Sequence, residues 1–483
     1  MYTLFSAKLD TIPKVAVVVI FSSIAYNLSA SIPEARFLMW LAPIPIFIYA
    51  LQSSVLKTLY VGFIAYFFGK CSTLIAYSQA VLPIQLFIIS FLTETIVFLI
   101  ILTIFRYNAR TFKHWIWSFS LACAWTTYEF FVAFHSPDGA ITSIAYSQIA
   151  NLPILQVAYI TGFLGITFLL MLVPTSIALS WHYRMEKKLC MKTVGIPICL
   201  LILVMFFGIY RLNYTADREP EITIGIVAIT NPLKEYIFKN SLSEDIILSR
   251  YLQSIDYLAQ AGASVVLLPE KIVRRYDESI LRQLSECAGR NQIYLIVGAI
   301  SKEGDKSYNS AYLFSQKGEI LLKYDKQHLL QPIENKYIPG NTSGTIKTLE
   351  MGVWGISICK DMDFLQSLRE YSRQGINIMF VPALDFYIDG WNHASVAIMR
   401  GVEGNYAVAR AGQWGVLSLS DSCGRMIAVS PINELEPQTF LLGRVKTGGG
   451  NSIYSRWGDW FGWLCVAIFG VLQIISIRLQ NEG

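Results

Sequence analysis

Mostly apolar stretches of membrane-crossing length recur along the first half of the chain, at about 13–31, 37–52, 58–77, 83–105, 115–134, 153–181 and 194–211. A bilayer-spanning helix needs about 20 predominantly apolar residues, so this pattern predicts seven spans. Between residues 213 and 450 the pattern changes to short apolar runs bounded by charge, and one more long run follows at 460–478. The chain therefore divides into a seven-helix region at 1–213, a polar domain at 214–456, and an eighth span with a short tail at 457–483.

Within the polar domain, EITIGIVAI at 221–229 alternates like a strand. Residues 243–261 carry Ile246, Ile247, Tyr251, Ile255 and Leu258 on one helical face. A buried strand ASVVLLPE, a helix near 278–290 and the strand IYLIVGAI follow. Then come a hairpin turning at QKGE, the strand GVWGISIC, a helix near 364–374 and the strand INIMFVPA. Such alternation predicts an α/β domain around a layered sheet core.

Composition sharpens this picture. Hydrophobic residues make up 54% and charged residues 15%, against about 25% charged in ordinary soluble domains. The net charge of +5 is small and sits beside apolar runs, which points to membrane orientation and away from nucleic acid. With a cytoplasmic N-terminus, the inner segments carry Lys8, Lys14, Lys57, Arg106, Arg110, Lys113, Arg184, Lys187, Lys188, Lys192 and Arg478, and the short outer loops carry Arg36 and little else. The positive-inside rule then puts both termini in the cytoplasm and the polar domain outside it. The length and flanks of the first span suit an uncleaved helix better than a signal peptide. Lys70, Glu94 and Glu129 fall inside spans, where charge is costly. Lys70 and Glu94 are a candidate interhelical pair, and Glu129 lies toward the side of the polar domain.

The polar domain holds Cys287, Cys359 and Cys423, an odd number, so at least one thiol has no partner there. No cysteine or histidine spacing suits a metal, and neither a metal nor a cofactor is expected. Glu270 ends a strand after Pro269, Lys326 follows a hairpin strand, and Cys359 ends a third strand. Functional residues gather beyond the carboxyl ends of strands in α/β sheets. A carboxylate can take a thiol proton, and an ammonium can favour the thiolate and then an oxyanion.

LLPE with Glu270, KYDKQHL with Lys326 and SICKD with Cys359 resemble, in that order, the Glu-Lys-Cys set of the nitrilase superfamily. The helix WNHASVAIMRGVEGNYAVARAG resembles the segment after its nucleophile, which implies that Arg400 and Glu403 are framework residues. Seven spans before such a domain and one after resemble the apolipoprotein N-acyltransferase family of bacterial inner membranes. Glu129, AYSQ at 145–148 and ITGFLGITFLL at 160–170 are similar to that family's fifth-to-sixth helix region. Glu334, in KQHLLQPIENKYIP, falls where the family has a second essential glutamate. Lys360-Asp361 stands where the family usually has Tyr-Glu, and PALDFYIDGW replaces an Asn-Asp-Ala-Trp-Phe pattern.

The resemblance implies a nitrilase-like αββα sandwich inserted between the seventh and eighth spans, on the periplasmic side of a multi-pass inner-membrane protein. It implies Glu270 as general base, Cys359 as nucleophile and Lys326 as oxyanion partner. Glu129, Glu334, Lys360, Asp361, Arg400 and Glu403 are supporting or substrate-binding candidates. A phospholipid would donate the acyl chain through a Cys359 thioester to the N-terminal amine of a diacylated lipoprotein, and nothing demands more than a monomer. The alternative is a membrane-bound nitrilase-type acyltransferase or amidase with a different acceptor.

Overall fold

A computed structural model describes residues 12–31, 33–71, 84–214, 220–229, 244–274, 276–348, 352–386, 389–431 and 438–482. The chain forms two compact units: a helical one of 1–135, 142–210 and 459–483, and an α/β one of 136–141 and 211–458.

In the helical unit, α1 is Ile12–Ser31, α2 Ile44–Gln52, α3 Val55–Gly69, α4 Ile84–Thr111 and α5 Trp117–His135. They are followed by α6, Phe163–His182, and α7, Lys187–Tyr214, whose last residues open the α/β unit. Six segments among the described residues are helical, long and apolar enough to cross a membrane: Ile12–Ser29, Glu34–Gln52, Phe87–Thr111, Phe163–His182, Lys187–Tyr214 and Trp460–Glu482. Three expected spans take other forms. The run at 115–134 folds as the 19-residue α5, which is not among the six. The run at 153–181 breaks into two short helices and α6, with the chain turning at Gly162 (φ +67°). The run at 58–77 contributes the 15-residue α3, and its end beyond Cys71 lies outside the described residues. Lys70 at the end of α3 pairs with Glu94 of α4 at 3.1 Å, and the Tyr66 hydroxyl donates to the same carboxylate at 2.6 Å. Two partners on one buried oxygen offset part of the desolvation cost of the charge.

In the α/β unit, β1 (Glu221–Ile229) is followed by α8 (Glu244–Gln260), β2 (Val265–Leu267), α9 (Glu278–Asn291), β3 (Tyr294–Glu303), β4 (Lys306–Phe314) and β5 (Ile320–Asp325). The second half runs β6 (Thr345–Thr348), β7 (Gly352–Ile356), α10 (Leu365–Arg373), β8 (Ile378–Leu384), α11 (Gly390–Gly404), β9 (Ala407–Gln413), β10 (Val416–Ser420), β11 (Met426–Pro431) and β12 (Gln438–Lys446). The last helix, α12 (Trp460–Glu482), belongs to the helical unit. The strands form two six-stranded sheets, β12-β1-β2-β3-β4-β5 and β11-β10-β9-β8-β7-β6.

Strand periodicity explains the layers. Ile222, Ile224 and Ile226 of β1 point between the sheets and meet a core with Leu267, Ile296, Trp354, Ile356 and Phe380. Val227 and Ile229 point the other way, with Val266 and Leu295, onto Tyr251, Ile255, Leu258 and Leu284 of α8 and α9. α11 packs on β9 and β10 of the second sheet, with α10 alongside it. The result is an αββα sandwich, each sheet buried on both faces as its apolar runs require. Trp354 is fully buried at the centre, its ring 5.0 Å from Tyr294 and 5.1 Å from Phe380. Trp354→Ala should therefore destabilise the α/β unit by about 3–5 kcal/mol, read as a lowered unfolding transition for that unit while the helical far-ultraviolet signal persists.

Candidate active site

Glu270 and Lys326 come from the ends of strands in the first sheet, and Cys359 from the end of a strand in the second. β2 stops at Leu267, Leu268 still bonds to Ile296, and the chain turns through Pro269 and Glu270. Gly298 of β3 lies under this turn. A Cβ there would fall 2.4 Å from the Pro269 carbonyl oxygen and 2.5 Å from Glu270 Cα, so only glycine admits the close approach. Lys326 directly follows β5, its N–H donating to Asn309 at 2.8 Å. Cys359 follows β7 and starts a 3₁₀ turn, Cys359–Asp363, with φ +46°. A non-glycine residue pays for that conformation in strain, and such strain concentrates where a side chain must be presented.

The Lys326 ammonium is 3.1 Å from Glu270 Oε1 and 2.9 Å from Glu334 Oε2, with all three side chains buried. Asn309 Nδ2 donates to Glu270 Oε1 at 2.6 Å and to Glu334 Oε1 at 2.8 Å. Lys271 adds a second ammonium, 2.7 Å from Glu334 and 3.3 Å from Glu270. Leu330 N–H completes Glu334 at 2.8 Å. Both oxygens of Glu334 are thus engaged, whereas Glu270 Oε2, also buried, has no hydrogen-bond partner among the described residues. The two glutamates therefore differ in their surroundings: Glu334 is tied at both oxygens, and Glu270 at one.

The charges act on the thiol. Burial pushes the Cys359 thiol far above its ordinary range, the negative charge of Glu270 pushes it further, and Lys326 pulls against both. Burial would lower Lys326, but Glu270, the sulfur and Glu334 together hold it well above the usual lysine range. Burial would raise Glu334, but Lys326 and then Lys271 hold it well below the carboxylate range. A thiol held that high is protonated at neutral pH, and an ammonium held that high keeps its charge. Attack by sulfur requires the proton to leave as the bond forms, which is general-base chemistry.

Two family descriptions match this chain in tandem. Residues 22–176 match the apolipoprotein N-acyltransferase N-terminal domain, and residues 228–460 match the carbon-nitrogen hydrolase family. An apolipoprotein N-acyltransferase of Geobacter metallireducens is 27% identical over 401 residues, 75% of this chain and 74% of that one. One from Nostoc is 26% identical over 369 residues, 71% of this chain and 72% of that one. The chain belongs to the apolipoprotein N-acyltransferase family. Its α/β unit alone has relatives of another kind: a nitrilase homolog 2 of Dictyostelium discoideum is 27% identical over 257 residues, 46% of this chain and 75% of that one.

The other candidates of this apolipoprotein N-acyltransferase homologue separate by what they touch. Asp361 ties the nucleophile turn to the lysine loop. Its Oδ1 accepts from the N–H groups of Gln327 at 3.2 Å and His328 at 2.7 Å, and its Oδ2 from Tyr324 at 2.9 Å and Ile358 N–H at 3.2 Å. It is a positioning residue between the two sheets. The Lys360 ammonium reaches Asp138 at 2.7 Å, and Ala140 N–H donates to the Asp363 carbonyl at 3.0 Å. Lys360 thus clamps the segment 136–141 onto the nucleophile turn. Gly139 (φ +59°) permits the contact, since a Cβ there would lie 2.3 Å from the Asp363 carbonyl oxygen. Arg400 and Glu403 pair at 2.8 Å, both buried within α11. Glu129 lies in the helical unit. Trp125 at 3.2 Å and Ile144 N–H at 3.1 Å donate to its Oε1, and Ser143 at 2.5 Å and Thr167 at 2.6 Å to its Oε2. With both oxygens engaged, it fastens the segment after α5 to α6.

Sequence reading missed Asn309, Lys271, and the buried pair Arg410–Asp385, whose charges also bear on Cys359. Lys271 was in view, next to Glu270, but nothing in the spacing shows that it turns back toward Glu334. His393 was missed too. Burial would lower it, but Asp389 at 3.3 Å raises it to about 9, so it is cationic at neutral pH.

The thiol electrostatics give a signed test. Burial is the larger influence holding Cys359 up, and Glu270→Gln removes the second, so the iodoacetamide-reactivity profile should move to lower pH. Acyl transfer should nevertheless be lost. A profile that stays put would show that Glu270 exerts no charge effect on the sulfur. Asp361→Asn should lower kcat by roughly 10-fold or more, as mispositioning costs do, without moving that reactivity profile.

Proposed function

We infer that this protein is an apolipoprotein N-acyltransferase that uses Glu270, Lys326 and Cys359 as base, oxyanion partner and nucleophile. The observation that carries this reading is the joining of the family's N-terminal membrane domain to a carbon-nitrogen hydrolase domain in one chain. The buried Glu270–Lys326–Glu334 cluster, with one Glu270 oxygen left open, supports the residue roles.

In the first half-reaction the Cys359 sulfur attacks the carbonyl carbon of a phospholipid acyl ester, and its proton passes to Glu270 Oε2. The tetrahedral oxyanion is held by the Lys326 ammonium and the backbone N–H of Lys360. Collapse breaks the ester C–O bond, Glu270 returns the proton to the leaving alkoxide, and a lysophospholipid departs. The acyl chain remains as a thioester. In the second half, the α-amine of a diacylglyceryl-cysteine attacks the thioester carbon, Glu270 takes a proton from nitrogen, the C–S bond breaks, and Glu270 passes that proton to the departing sulfur, which restores the thiol and frees the amide product. Transfer through one covalent intermediate makes the kinetics ping-pong. Both lipids stay in the bilayer, since moving an acyl chain into water costs about 0.8 kcal/mol per CH₂. The distribution of Lys and Arg supports a periplasmic α/β unit and cytoplasmic termini in a bacterial inner membrane.

The test is intact mass of the purified protein after incubation with phospholipid, with and without a diacylated lipopeptide. An acyl-sized gain on Cys359 is expected, cleared by lipopeptide as the triacylated product appears. Cys359→Ala should show no gain and lose at least about 10³-fold in rate. A gain that lipopeptide cannot clear would mean a different acceptor.

A further inference from the structure

The α/β unit begins at Arg211, where an apolar helix ends. From Thr193 to Tyr210 that helix carries no charged residue. Those 18 residues span about 27 Å at 1.5 Å per residue, close to the roughly 30 Å of bilayer hydrocarbon. Arg211 and Leu212 therefore mark the depth at which the chain passes from acyl chains to headgroups.

The turn between β10 and β11 is bolted to that depth. Arg211 donates to the Ser422 carbonyl at 3.3 Å and lies 3.6 Å from Cys423 Sγ, while its side chain also holds Asn405 at 2.6 Å. Arg425 donates to the Leu212 carbonyl and pairs with Asp421 at 2.8 Å. The chain then presents Met426 and Ile427, two consecutive large apolar side chains, each 42% exposed. They open β11, the edge strand of its sheet. An apolar edge left in water invites aggregation, and proteins usually guard such edges with charge or cover. At the other end of the unit, Trp457 is 70% exposed three residues before α12, and Tyr214 is 74% exposed at the end of α7. Trp and Tyr concentrate at the membrane–water boundary. Both chain connections of the unit thus carry exposed aromatics, and Arg425, the residue before the exposed apolar pair, is hydrogen-bonded to one of them.

We propose that the β10–β11 turn and the start of β11 dip into the headgroup zone of the bilayer, with Met426 and Ile427 against lipid and Arg425 at phosphate level. The headgroup zone is about 5–8 Å deep on each side, comparable to the reach of the arginine side chain that fixes the turn to Leu212. The occupant is the lipid surface itself, because Arg425 ties the patch to Leu212, which directly follows the uncharged stretch of α7 and Arg211. The surface would hold the α/β unit at bilayer level, independently of which acceptor the enzyme uses.

The experiment places a nitroxide at Ile427→Cys, and separately at Met426→Cys, in full-length protein with Cys71, Cys190, Cys199 and Cys359 replaced by Ala. The protein is reconstituted in phosphatidylethanolamine–phosphatidylglycerol vesicles, with Asp305→Cys in the β3–β4 turn as the water-exposed control. At 426 and 427, collisions with oxygen should exceed those with a water-soluble nickel chelate, and the order should reverse at 305. Nickel accessibility at 426 and 427 equal to that at 305 would overturn the proposal. So would shielding from both reagents, which would mean that protein covers the patch, either a second copy or another chain. The readout does not depend on acyl transfer, so its failure is separable from failure of the functional reading.

Discussion

The structure around the nucleophile depends on one buried ammonium. Lys326 is 2% exposed and sits between Glu270 and Glu334. An unpaired charge at such a site would cost several kcal/mol, so the three groups must be assembled together or not at all. Lys271 and Asn309 complete the cluster, giving two ammonium groups for two carboxylates and an amide that bridges them. Because the charges balance within the cluster, one oxygen of Glu270 can stay without a partner. That open oxygen is what separates Glu270 from Glu334 and supports the role of base proposed for it.

The second constraint is that the nucleophile belongs to the other sheet. A thiol on a separate layer is useful only if the two layers keep their register. Asp361 meets that requirement by accepting bonds from the lysine loop, from Tyr324 of β5 and from the nucleophile turn itself. The aspartate is shorter than the glutamate usual in the family, yet all its contacts are within 3.2 Å, so this departure preserves the tie. The other departure, Lys360, takes up a different contact, a clamp on the segment 136–141 through Asp138. Strain at Cys359 and the buried inter-sheet core together hold the sulfur where the cluster can act on it.

A neutral resting thiol suits the proposed acyl transfer. A standing thiolate would be open to alkylation and oxidation between turnovers. Coupling proton loss to attack confines the nucleophile's reactivity to the moment when substrate is present. The α/β unit matches the carbon-nitrogen hydrolase family, and a nitrilase homolog is similar to 46% of the chain. The helical unit, with its own family match, is what joins that chemistry to a membrane.

Hydrophobic period and charge alone determined the division into membrane helices and an α/β domain, because burial in lipid and burial in a sheet leave different repeats. Glu270, Lys326 and Cys359 stood out in the sequence because each follows a break in strand alternation, and the fold brings Lys326 onto Glu270. What the sequence could not contain were the pairings across elements. Asn309 and Lys271 look like ordinary strand and turn residues, and only the fold brings them onto two glutamates. Glu129 resembled a site residue by position, and tertiary contacts engaged both its oxygens. The helix breaks near 153–162 were hidden in an apolar run, since hydropathy does not register the backbone turn at Gly162. Periodicity records which face of an element is buried. Which polar atoms meet there is decided by how distant strands and loops come together.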